Sequence, residues 1–216
     1  MTLSIQFLIY LTPLALAATI VLAETSQNDS VLAVFVDFDR PPYEGAVVHM
    51  KKEAARLMKA ADVRIEWRAL KEAQGRERFD HVAVIRFRGS CRMEPLRSET
   101  GTSSQDAGLG ATEVEDGKVL PFGDVNCDLV RDHLTSDEFT LKLHPMHWEY
   151  GRALGYVVAH ELYHMLTRKT AHDSDGVSKA SHTPADWRSP SFRFDSGASR
   201  ALQESLQHSL LPSRSR

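Results

Sequence analysis

A chain of 216 residues, 42% hydrophobic and 25% charged, has the make-up of one soluble globular domain with a sizeable core. The formal net charge of −3 and the absence of a basic stripe exclude the electrostatic footprint of a nucleic-acid binder. No internal repeat is visible in the sequence.

Leu3 to Ala23 carries no charge, is rich in Leu, Ile, Ala and Val, and ends Val21-Leu22-Ala23 before Glu24. Small residues closing an apolar run mark an export signal cleaved after Ala23, although the usual positive residues ahead of the run are missing. At roughly 20 residues the run is also long enough for a retained membrane anchor, and a buried helix of the domain is the third alternative. The expected organisation is therefore a signal or anchor over 1–23, one domain over 30–210 and a frayed tail over 211–216. The first two alternatives place that domain outside the cytoplasm, secreted or periplasmic, with membrane contact only if 1–23 is retained.

Val31 to Val36 reads as a buried strand stopped by Asp39, Arg40 and the Pro41-Pro42 pair. Val47, Met50, Ala54, Leu57, Met58 and Ala61 recur at helical spacing, which predicts an amphipathic helix over Glu44–Ala61 with His49 on its surface. Val63, Ile65 and Trp67 alternate with charged residues as a half-exposed strand does, and Val82 to Phe87 predicts another. Gly89 to Gly110, polar and glycine-rich in its second half, reads as a long surface loop. Asp116-Gly117 is a type I′ hairpin signal, and Pro121 beyond it marks an edge strand or a strand end. Val125–Leu134 is open between strand and short helix.

His147 to Met165 contains no proline and predicts a long helix, with Leu154, Val157, Val158, Leu162, Met165 and Leu166 on one broad buried face. Basic residues in Thr167-Arg168-Lys169-Thr170 suit the negative end of its dipole. Ala171–Pro190 reads as irregular and polar, and Ala198–Leu210 as a closing helix. Cys91 and Cys127 form an even pair in a chain whose first residues read as an export signal, so a disulfide across the Gly/Ser-rich stretch Arg97–Gly110 is expected over two buried thiols.

Within the long helix the chain reads His160-Glu161-Leu162-Tyr163-His164. Residues four apart lie about 40° apart around a helix and ~6 Å along it, so both imidazoles can converge on one cation. Glu161 can then reach a water on that cation without ligating it. Neutral nitrogen ligands, an open position and a neighbouring carboxylate are what a hydrolytic zinc site requires. Alternatively, the two histidines are merely hydrogen-bonded on a partly buried helix.

The order strand, helix, several strands, HELYH helix and smaller C-terminal part resembles the zincin metallopeptidases. It is also similar to small exported bacterial proteins of the metzincin-like kind, in which HELYH is followed within ten residues by another His and then a Gly, here His172 and Gly176. The resemblance implies an α+β fold, a single zincin-like domain with a twisted mixed sheet, a backing helix, an active-site helix and a C-terminal helix. It further implies one catalytic Zn²⁺ on His160, His164 and His172, with Glu161 as general base. The implied activity is that of an exported, monomeric zinc peptidase acting on peptide or protein substrates, and the alternative is an inactive zincin-like metal-binding or interaction domain. The metzincin pattern would place Gly at 167 and His at 170, where this chain has Thr167 and Thr170. Asp173, Asp175, Glu204 and His182 therefore stand beside His172 as alternative third ligands. No Met follows Met165, so Phe192 and Phe194 read either as a floor for the site or, more simply, as core aromatics.

Overall fold

The computed structural model describes residues 30–75, 77–93, 108–136 and 146–209. The segments 1–23 and 211–216, Arg97–Ala107 of the expected loop, and Leu210 lie outside the described residues.

Five strands form one mixed sheet in the order β2-β1-β3-β5-β4. They are β1 Ser30–Phe38, β2 Val63–Ala69, β3 His81–Arg88, β4 Gly110–Glu115 and β5 Lys118–Asn126. The first three and β5 run parallel, and β4 closes one edge antiparallel to β5. The helices are α1 Glu44–Lys59, α2 Cys127–Leu134, α3 His147–Thr167, α4 Pro184–Arg188 and α5 Ser196–Ser209. The architecture is α+β, as the sequence led us to expect.

Alternation builds the sheet. Ala83, Ile85 and Phe87 of β3 point into the core with Leu32, Val34 and Val36 of β1, and α1 and α3 pack on that side through Met50, Leu57, Met58, Leu154 and Val158. On the other side, Arg86 pairs with Asp124 and Glu113 across three neighbouring strands. Asp116 and Gly117 both adopt positive φ, 49° and 73°, as a type I′ turn requires.

Several expectations need correcting. Gly110 is the first residue of β4 rather than the end of a loop. Pro121 lies inside β5, which is an inner strand from Phe122 onward but pairs with β4 alone before it, so the proline stands on a locally unpaired edge rather than in an edge strand or at a strand end. It sits where the β4 register shifts between Thr112 and Val114, just before the pairing with β3 begins at Phe122, so no ladder bond needs its missing N–H. The ambiguous Val125–Leu134 is both: β5 runs to Asn126, whose side chain caps α2 by accepting from Leu129 N–H at 3.0 Å. The irregular Ala171–Pro190 contains α4, begun by Thr183 with Pro184 in its first turn, and buries Val177, Ser178, His182 and Trp187. Most of α3 is buried all round rather than on one face, because α1, the sheet and the C-terminal segment enclose it.

Cys91 and Cys127 are joined by a disulfide, with both residues buried. The bridge ties the end of the β3 segment to the first residue of α2 and closes the stretch that carries the β4–β5 hairpin. A loop of 36 residues closed in this way stabilises the fold by about 3–4 kcal/mol through the unfolded chain. Such a bridge suits an oxidising, extracellular-type compartment. Among the described residues no helix is long and apolar enough to cross a membrane.

Candidate metal centre

His160 and His164 lie one turn apart on α3 and turn their Nε2 atoms towards each other, 3.1 Å apart. Their other ring nitrogens are committed. His160 Nδ1–H donates to the Val177 carbonyl and His164 Nδ1–H to the Lys169 carbonyl, both at 2.7 Å. Each ring is thereby held as the tautomer whose Nε2 bears a lone pair. Two lone pairs converging at this distance suit a shared cation and not a hydrogen bond between the rings. Burial disfavours the charged form of both rings, pushing the His160 pKa down to about 3 and lowering that of His164.

The chain after α3 brings a third imidazole. Arg168 leaves the helix in the left-handed region, φ 55° and ψ 27°, so an arginine makes the reversal for which metzincins use a glycine. Four residues later the exposed His172 reaches the two rings, with centroids 5.1 Å from His160 and 4.8 Å from His164. One ligand atom from each of the three histidines lies within 4.8 Å of the others, and this trio could hold a metal ion.

The other candidates are engaged elsewhere. Asp173 accepts from the Tyr163 hydroxyl at 2.8 Å through one carboxylate oxygen. Its backbone N–H donates to Ser178 O, which folds the 173–178 loop beneath α3. Asp175 accepts from its own loop at Gly176 N–H, and Glu204 lies on α5 beside a separate groove with His81. His182 is buried and donates Nε2–H to the same Val177 carbonyl that receives His160, at 2.9 Å. Its pKa is pushed down to about 4, chiefly by burial. Gly176, with φ 69°, leaves no room for a side chain against Arg193 O, so the loop can press close to the backbone around Arg193. Phe192 and Phe194 are core aromatics, packed on Tyr156 and Tyr163 respectively.

Glu161 is 4% exposed and accepts from Thr112 Oγ1 of β4 at 2.6 Å. Burial raises its pKa to about 7, and the threonine hydrogen bond opposes part of that rise. The imidazoles and Glu161 open on one cleft of about 770 Å³. Its walls include Ala180, Ser181 and His182 from the segment after α3 and, with no sequence signal to mark them, β4 and α2 through Thr112, Leu129 and His133. A hairpin signal located the strands, but no residue pattern linked Thr112 to a glutamate 49 positions away.

No protein-family model matches the chain, and no curated protein matches it.

Proposed function

We propose that the protein is an exported zinc-dependent peptidase of the zincin kind. One observation carries the reading: the Nε2 lone pairs of His160 and His164, fixed by backbone acceptors, converge with His172 next to a buried carboxylate in an open cleft. Two imidazoles bound tetrahedrally at about 2.0–2.1 Å stand roughly 3.3 Å apart, close to the 3.1 Å between these nitrogens. Three neutral nitrogen donors are a common set for catalytic zinc, with the fourth position left to water or substrate. The disulfide supports the exported location.

When bound, zinc would lower the pKa of its water towards neutrality and polarise a substrate carbonyl. Glu161 accepts the water proton, and burial favours its holding that proton near neutral pH. The same side chain then delivers it to the departing amine. His160 and His164 keep their orientation through this exchange because their Nδ1–H groups stay on Val177 O and Lys169 O. The apolar wall of Leu109, Leu129 and Val157 excludes water from one side of the cleft.

The test is metal analysis of the purified protein combined with cleavage of a mixed peptide library. Near-stoichiometric zinc with chelator-sensitive cleavage is expected, and Glu161→Gln should keep the metal while losing roughly a thousandfold or more in turnover. A metal-loaded protein that cleaves nothing would leave a zincin-like binding domain. Absence of bound metal would remove both.

A further inference from the structure

The carboxylate of Glu161 has two oxygens in different surroundings. Oε2 receives the Thr112 hydroxyl at 2.6 Å, and the same hydroxyl lies 3.3 Å from the Glu161 backbone oxygen. Oε1 lies beneath Gly110, where an added β-carbon would stand 2.5 Å from it and 2.8 Å from Val157 Cγ1. Gly110 and Thr112 are two apart on β4, hence on one face of the strand. Thr112 pairs with Gly123 of β5, which lets the Met165 side chain of α3 approach the sheet. The register shift begins just beyond Thr112, a place where a strand can re-aim a side chain. Among the described residues, Thr112 is the hydrogen-bond donor to this carboxylate.

We propose that Thr112 is the positioning residue for Glu161: its hydroxyl pins Oε2, so that Oε1, beneath the side-chain-free Gly110, is the oxygen that exchanges the proton. This rests on the peptidase reading for its catalytic consequence, but the arrangement itself can be probed without turnover. Valine has the shape of threonine without the donor, so Thr112→Val leaves a buried carboxylate oxygen unpartnered and free to rotate. Serine keeps the donor.

The experiment compares zinc-loaded wild type, Thr112→Val, Thr112→Ser and Gly110→Ala. The readouts are zinc content, peptide turnover, and the affinity of acetohydroxamic acid, which chelates as its anion and passes its proton to a neighbouring carboxylate. We expect zinc content to be unchanged. Thr112→Val should lose ~10–100-fold in kcat with little change in KM, and about tenfold in acetohydroxamate affinity, while Thr112→Ser recovers most of both. Gly110→Ala should show the same losses by crowding Oε1, and serves if the valine variant fails to fold. If wild type binds zinc and acetohydroxamate but cleaves nothing, the peptidase reading fails, and the hydroxamate affinities still decide the role of Thr112. Wild-type acetohydroxamate affinity in Thr112→Val, or in Gly110→Ala if that variant must serve, would overturn it, as would equal losses in Val and Ser.

Discussion

The two halves of α3 are held in place by different physics. In the first half, backbone shape decides. Gly151 and Gly155 face α1, where added β-carbons would stand 2.5 Å from Ala46 O and 2.8 Å from Met50 O, so the helices meet almost backbone to backbone. In the second half, polar partners decide: the acceptors Val177 O and Lys169 O and the donor Thr112 Oγ1 each hold one side chain of the H-E-x-x-H motif. Packing thus locates the helix, and separately recruited hydrogen bonds aim its chemistry. The first half should tolerate no added volume, and the second should tolerate changes that alter metal binding but spare the fold.

The strongest break is in the packed half. Gly151→Val forces α1 away along its length, and we expect a loss of ~3 kcal/mol or more, read as a lower urea midpoint for the whole domain. A midpoint within experimental error of wild type would show that the helices can part cheaply. In the polar half, His172→Ala should weaken zinc binding by about a hundredfold or more, yet leave the melting temperature of the metal-free protein almost unchanged because the side chain is exposed. Unaltered zinc affinity would remove His172 from the ligand set.

Acid separates the halves without a mutation. The metal-free fold holds His160 and His182 below the usual imidazole pKa of 6.5, at about 3 and about 4. The unfolded chain therefore takes up two protons that the folded one refuses as pH falls from 6.5 towards 4.5. Glu161, raised from 4.5 to about 7, works the other way, since the folded state keeps a proton the unfolded state has lost. The net excess is one proton on the unfolded chain, so stability should fall by about 1.4 kcal/mol per pH unit across this window. The lowered pKa of His164 adds to the fall. Urea titrations of metal-free protein at pH 6.5 and 5 measure it. Glu161→Gln removes the opposing proton and should steepen the slope to roughly double. A flat profile would mean these imidazoles are solvated.

The same contrast explains what the sequence revealed. HELYH, the apolar run of α3 and the Asp116-Gly117 turn are local patterns governed by helical and strand periodicity, so they were legible, as was His172 by resemblance. The residues that aim the site were not. Val177 contributes only its carbonyl, which every residue has, and Thr112 acts across 49 positions from a strand that looked like any hairpin arm. Helical periodicity accounts for Tyr163 as a packing residue. It is buried against Phe194, yet its hydroxyl also pins Asp173 and with it the loop that follows His172. Periodicity locates buried faces but does not report which buried hydroxyl meets which acid.

The smallest effect lies at the junction between helix and ligand loop. Metzincins spend a glycine on the reversal after the second histidine, whereas here Arg168 adopts φ 55° itself. A left-handed conformation costs an L-residue with a β-carbon about 1 kcal/mol, which glycine avoids at the expense of a more flexible unfolded chain. Arg168 is exposed at the helix end, so little packing opposes the exchange. Arg168→Gly should therefore raise stability by roughly 0.5–1 kcal/mol while leaving zinc affinity within about twofold. Destabilisation instead would mean that the arginine side chain, and not only its backbone, holds the turn that delivers His172.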